Sequence, residues 1–118
     1  MFMKWKIYKA DLNPVTGSEQ KGTRPVLIIS DDAYSTVMPL VTILPLTSLK
    51  PGRIIYPNEV LIRMEKHQAK TGLLSDSIIL AHQIRTISKN RLKDLIGGID
   101  DLVVQEKINE ALRIHLNL

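Results

Sequence analysis

There is no cysteine in this 118-residue chain. Disulfide frameworks, thiolate nucleophiles and thiolate-held metals are excluded together, and the absence suits a cytoplasmic protein. Aromatic residues are scarce, with one Trp, one Phe and three Tyr, so a ligand held by ring stacking would find few platforms. No apolar run nears the ~20 residues that cross a bilayer, and the opening Met1-Phe-Met-Lys-Trp-Lys6 lacks the apolar middle of a signal peptide. The expectation is a protein that stays in the cytoplasm without membrane attachment. The phosphate-loop, dinucleotide-binding and nucleophile-elbow patterns are missing too. His67, His82 and His115 stand far apart, none at ligand spacing from another histidine or a carboxylate, so a metal site has little support and no cofactor is expected. His67 reads as a residue of a solvated loop, His115 as a residue of a helix surface or interface, and His82 could face either way.

What is present describes an ordinary globular domain. Hydrophobic residues make up 44% and charged residues 24%, enough apolar material for one core, so residues 1–118 are expected to fold as a single domain. Sixteen Lys and Arg against twelve Asp and Glu leave a net charge of +4, which favours an acidic partner without specifying one.

Along the chain, Trp5 to Ala10 mixes β-favouring residues with lysines and predicts a first strand with one face in water. A polar loop follows, Asn13 to Arg24, which Gly17 and Gly22 allow to turn sharply. Val26 to Ile29 is uninterrupted and apolar, as in a strand buried on both faces. Ser30 to Ser35 suggests a short helical turn. Val41 to Leu46 predicts a strand whose Pro45 argues for an edge or a bulge, with Thr47 and Ser48 where that strand leaves the sheet. Lys50 to Arg53 reads as a turn, Ile54 to Tyr56 and Glu59 to Met64 as a strand or two, and Glu65 to Gly72 as a loop. Ser77 to Ala81 and Gln83 to Ile87 form the last β segment, with a bend at His82. From Ser88 the spacing of Leu92, Leu95 and Ile96 predicts a helix capped by Ser88 and stopped by Gly97-Gly98. A second helix is capped by Asp100 or Asp101 and carries the stripe Val104, Ile108, Ala111, Leu112 and His115 with Leu116. The expected fold is mainly β, five or more strands closed by C-terminal helices.

The chemistry concentrates on Glu19, Arg24 and Thr47. Arg24 presents a planar fork of donors suited to a phosphate, Thr47 a hydroxyl, and Glu19 a carboxylate able to take a proton. Each has an equally ordinary structural use, and residue type alone leaves the choice open.

The order of the motifs carries more. Ile7-Tyr-Lys-Ala-Asp-Leu-Asn-Pro14, Gly17-Ser-Glu-Gln-Lys-Gly-Thr-Arg-Pro-Val-Leu-Ile-Ile29, Pro45-Leu-Thr-Ser48, Asp76-Ser-Ile-Ile-Leu80 and Gln83-Ile-Arg-Thr-Ile87 resemble, in register over nearly the whole chain, the MazF/PemK family of toxin endoribonucleases. The resemblance implies a small SH3-like (CcdB/MazF-type) β-barrel with C-terminal helices and a homodimer. It implies a metal-independent, sequence-specific cleavage of single-stranded RNA, often mRNA, by 2'-hydroxyl attack, and a cognate antitoxin that neutralises the toxin. By motif, Arg24 and Thr47 carry over as catalytic residues, and Glu19 is the nearest candidate for the proton acceptor. Asp76 is a secondary candidate that orients Arg24 or contacts RNA, with a plain turn residue as the alternative. RNA contacts are expected from Lys21, Lys50 and Arg53, and the substrate-binding set includes Ser18, Ser48 and Gln83.

The chain also departs from the family pattern. Trp5-Lys6 stand where the family often has Gly followed by an acidic residue, and Ser18 and Leu74 stand where some plasmid-borne members carry His and Arg, so that variant of the mechanism is not expected. The rival implied by the same barrel is a CcdB-type gyrase-binding toxin without nuclease activity, which would not need the Arg24 and Thr47 pair.

Overall fold

Lys6–Asp11 forms β1 and Thr23–Ile28 forms β2, an antiparallel pair in which Ile7 faces Leu27 and Ala10 faces Arg24. This computed structural model describes residues 3–118, without the side chains of residues 66–69. A one-turn helix α1 (Asp32–Ser35), capped by Asp31 through the Ala33 N–H, returns the chain to β3 (Leu40–Ser48). After β4 (Glu59–Ile62) come α2 (Met64–Thr71), β5 (Ser77–Leu80), a 3₁₀ turn (Ala81–Gln83), β6 (Arg85–Ser88), β7 (Leu92–Gly98) and α3 (Leu102–Leu116).

The sheet has seven strands in the order β4-β5-β3-β2-β1-β7, with β6 also paired to β3. The long strand β3 is the pivot. Its first half, Leu40 to Ile43, pairs with β6, and its end, Leu46 to Ser48, pairs with β5. Pro45 sits between these two ladders, where the missing N–H costs no hydrogen bond. The expected edge or bulge is therefore a handover inside an inner strand, and Pro45 is buried. Among the described residues β4 and β7 are not paired with one another, so the architecture is a mainly antiparallel sheet left open rather than a closed barrel.

Two apolar clusters lie on opposite faces of the central strands. Ile7, Leu27, Leu44 and Leu46 belong to one, with Ile108 of α3, while Ala10, Val26, Ile28 and Ile43 belong to the other. Val26, Leu27 and Ile28 are all fully buried, as an uninterrupted apolar run requires. On α3, Asp101 accepts from Val103 N and Val104 N, and Val104, Ile108 and Ala111 form the buried face.

Three expectations are corrected. Ser88 does act as a cap, but only of a single 3₁₀ turn (Lys89–Arg91), and the helix expected after it is the strand β7. The apolar spacing of Leu92, Leu95 and Ile96 suits a helix in isolation, but β1 has a free edge whose polar groups need partners, and β7 supplies them through Ile7↔Gly97 and Tyr8↔Leu95. Gly97-Gly98 is thus no helix stop: a Cβ on Gly97 would lie 2.4 Å from the carbonyl oxygens of Lys70 and Thr71, and its absence lets the end of α2 approach β7. One C-terminal helix remains in place of two. Glu65 to Gly72, expected as a loop, lies largely within α2, whose first N–H, on Met64, is held by the Asp76 carboxylate at 2.8 Å. The expected environment of His67 falls outside the described side chains. Finally, Ile54 to Tyr56 is irregular, because the carboxylate of Glu59 takes the Tyr56 N–H that a ladder would otherwise use.

Trp5 is the one described residue besides Asn117 that is not glycine and has a positive φ, at 71°. The left-handed region suits glycine, which has no Cβ to clash there. Trp5 is held in it by hydrogen bonds of its N–H to Ile28 O and of its carbonyl from Ile99 N, both 2.8 Å.

Candidate functional site

The connection from β1 to β2 folds back on itself from its own polar residues. Leu12 N donates to Gly22 O at 3.0 Å and Gly22 N to the Asn13 side chain at 3.1 Å. Gly17 and Gly22 take φ of 59° and 77°, which supplies the turns. Two arginines to which the sequence reading gave no role hold its base: Arg85 Nη1 donates to Leu12 O at 2.9 Å, and Arg91 Nη1 donates to Asp11 O at 3.1 Å and to Asn13 O. These contacts span more than seventy positions, so no local pattern could have marked them.

At its far end the loop is tied to the 3₁₀ turn, where Gln83 Oε1 accepts from Gln20 N at 2.8 Å. A cleft of about 400 Å³ opens there, lined by Ser18, Glu19, Gln20, Pro45, His82 and Gln83 among others. Ser18 and Glu19 are exposed. The Glu19 carboxylate accepts from Thr16 N and closes the turn that carries it. Gln20 Oε1 is buried and has no hydrogen-bond partner among the described residues.

Arg24 stands on β2 and Thr47 on β3, and neither is among the residues that line this cleft. The β2–β3 ladder pairs Ile28 with Ile43, Leu27 with Leu44 and Val26 with Pro45. Continued two residues, that register brings Arg24 opposite Thr47 and onto the strand face that Pro45 shares, since side chains repeat every second residue. Both residues are half-buried. Arg24 Nε donates to Lys21 O at 2.7 Å, and among the described residues its two terminal amino groups make no hydrogen bond. That anchor aims the fork while leaving its two outer donors for a ligand. Lys21 and Lys50 are exposed cations nearby in the chain.

Other expected site residues are engaged elsewhere. Arg53 forms a two-pronged pair with Glu59, Nη1 to Oε1 at 3.0 Å and Nη2 to Oε2 at 2.7 Å, and its guanidinium lies 5.9 Å from the Tyr56 ring centroid. Asp76 accepts from Met64 N and lies 3.5 Å from Arg63, while its carbonyl receives Leu49 N; no hydrogen bond joins it to Arg24 among the described residues. Ser48 exchanges a hydrogen bond with Ser75 at 3.2 Å.

The pair that sequence reasoning missed is Glu59 and His82. His82 Nε2 lies 2.8 Å from Glu59 Oε2, and the Glu59 side chain is 1% exposed. Burial works against ionising Glu59, but the hydrogen bonds from Arg53, Tyr56 N and His82, with the Arg53 charge, outweigh it and hold its pKa down to about 2. The His82 ring also meets the ring of His115 on α3 edge-on, at 6.3 Å between centroids. His115 itself is exposed on that helix, as expected. Among the described residues no helix is long and apolar enough to cross a membrane.

Residues 3–116 match the family described as PemK-like, MazF-like toxin of type II toxin-antitoxin system. The chain is 40% identical over 118 residues to "Endoribonuclease MazF" of Staphylococcus saprophyticus, covering 100% of this chain and 93% of that protein. It is 41% identical over 113 residues to "Endoribonuclease EndoA" of Bacillus subtilis, covering 95% and 91%. Among solved structures it is similar to an endoribonuclease in complex with its cognate antitoxin from Mycobacterial species, with a TM-score of 0.76, 25% identity, and coverage of 100% of this chain and 97% of that one.

Proposed function

Because the chain belongs to the PemK-like, MazF-like toxins of type II toxin-antitoxin systems, we propose that it is a single-domain, cytoplasmic endoribonuclease that cuts single-stranded RNA at a short motif. The observation that supports this reading is the Arg24 fork, anchored by its Nε on Lys21 O with its outer donors unpaired among the described residues.

In the proposed reaction the 2'-oxygen attacks the adjacent phosphorus as its proton passes to a base. The bond from phosphorus to the 5'-oxygen breaks, and that oxygen takes up a proton. The products are a 2',3'-cyclic phosphate and a 5'-hydroxyl end. Negative charge gathers on the nonbridging oxygens in the transition state, where the Arg24 guanidinium and the Thr47 hydroxyl favour that state over the ground state. Glu19, exposed on the loop, is the proposed acceptor of the 2'-proton. Lys21 and Lys50 add charge for the backbone, so binding weakens with salt. The reading includes a homodimer and a cognate antitoxin, whose acidic segment would suit a chain of net charge +4.

The test is incubation of the purified protein, with a chelator present, on a long unstructured RNA. Cuts at a repeated short motif with 5'-hydroxyl ends are expected. Intact RNA, with binding to DNA gyrase instead, would overturn the nuclease reading.

A further inference from the structure

The cleft lined by Ser18, Glu19 and Pro45 contains an imidazole whose orientation is fixed from behind. His82 lines that cleft, and its Nε2 is held by Glu59 Oε2 at 2.8 Å. Glu59, ionised at neutral pH, can only accept, so the neutral imidazole carries its hydrogen on Nε2 and leaves Nδ1 as a lone-pair acceptor. Glu59 is in turn immobilised by the Arg53 fork and by Tyr56 N, and the imidazole is backed by the His115 ring. A second acceptor belongs to the same cleft: Gln20 Oε1, buried and without a partner among the described residues. Buried polar atoms are rarely left unsatisfied, so this oxygen would gain a partner if the Gln20 side chain turned toward a donor in the cleft.

We propose that His82, positioned by Glu59, is a specificity-determining residue of this cleft that reads an amino-bearing nucleobase through Nδ1, with Gln20 Oε1 as the second acceptor. Adenine, cytosine and guanine each present an exocyclic amino group, whereas uracil offers one ring N–H between two carbonyl acceptors, which would face acceptors here. The cleft volume of about 400 Å³ lies within the range of sites that take small ligands. The inference rests on the endoribonuclease reading above, because it assigns the cleft to one base of the same RNA.

The experiment is cleavage of an RNA pool randomised around the cut, with the ends of products mapped for the wild type, His82→Asn and His82→Gln, and with thermal unfolding of each. The asparagine amide can stand near the position of Nδ1 and accept there, whereas the glutamine amide reaches the position of Nε2 and keeps only the bond to Glu59. The expected result is that the wild type and His82→Asn disfavour uracil at one position near the cut, while His82→Gln loses that discrimination by roughly fivefold, the worth of one hydrogen bond, through slower cutting of the amino-bearing substrates and not faster cutting at uracil. An unchanged base preference in a folded, active His82→Gln would overturn the role of His82 and leave the nuclease reading intact. A wild type that cuts no member of the pool would overturn both.

Discussion

His82 Nε2 and Glu59 Oε2 lie 2.8 Å apart, joining the 3₁₀ turn beside the cleft to a carboxylate that is 1% exposed on β4. Arg53 shares that carboxylate from the other side at 2.7 Å. One buried anion therefore organises the turn, the strand and the irregular segment before it.

The consequence for acid stability has a definite sign. The pKa of Glu59 is lowered from 4.5 to about 2 by folding, so the stability it contributes is present above pH 4.5 and is lost as pH falls toward 2. Glu59→Gln should flatten the acid limb in that window and cost about 2 kcal/mol at pH 7, less than a fully buried pair because Arg53 keeps contact with solvent. Urea denaturation at a series of pH values reads both. A mutant with the acid limb of the wild type would show that other groups govern it.

Arg24 should be required for cleavage and dispensable for folding. Arg24→Ala is expected to lower kcat by about 10²- to 10³-fold, the usual loss when one preorganised donor to a developing charge is removed, with cooperative unfolding retained. Arg24→Lys should recover little, since a point charge does not reproduce the fork. Single-turnover assays on a fluorescent RNA give the rates, and near-normal activity of the lysine variant would reduce Arg24 to a general electrostatic contribution.

Glu19 combines a hydrogen bond to Thr16 N with exposure at the cleft. Glu19→Gln keeps an acceptor for that N–H and removes the base. If Glu19 takes the 2'-proton, kcat should drop by roughly 10²-fold or more in single-turnover assays. Retention of full activity would assign Glu19 to loop closure alone.

At Gly97 the backbone of α2 leaves no room for a methyl group, with Lys70 O and Thr71 O 2.4 Å from a Cβ. Gly97→Ala should destabilise by about 2 kcal/mol or more, seen as a lower Tm. Gly17→Ala, at a loop position with open space, should cost less and only through its positive φ.

Trp5 gives the opposite comparison. Its φ of 71° is a conformation that L side chains adopt at a cost. Removing the ring loses its packing against the core in both Trp5→Ala and Trp5→Gly, but the glycine variant should be the more stable of the two by about 1 kcal/mol. Paired thermal melts decide the point.

The strands β1, β2, β3 and β5 and the helix α3 were legible because each is specified locally: an apolar run or alternation bounded by turn residues, or a stripe behind a capping aspartate. The loop with its two glycines was legible for the same reason, and so were Arg24 and Thr47 once the order of the motifs pointed to a family. β7 was misread because Leu92, Leu95 and Ile96 are spaced for a helix face, and the strand is imposed by the free edge of β1 more than eighty residues earlier. Arg53 looked like a free surface cation because nothing in its neighbourhood announces that Glu59 will be buried beside it.

The sequence by itself thus determined most of the strands, where the polar loop lies and which residue types the candidate site can draw on, since these follow from short-range patterning. Only the tertiary structure decided that Arg85 and Arg91 clamp the loop, that Gln83 ties down its tip, and that His82 is fixed by Glu59. Those arrangements come from polar groups that must find partners once the core excludes water, and which partners are within reach is set by the packing of the sheet rather than by distance along the chain.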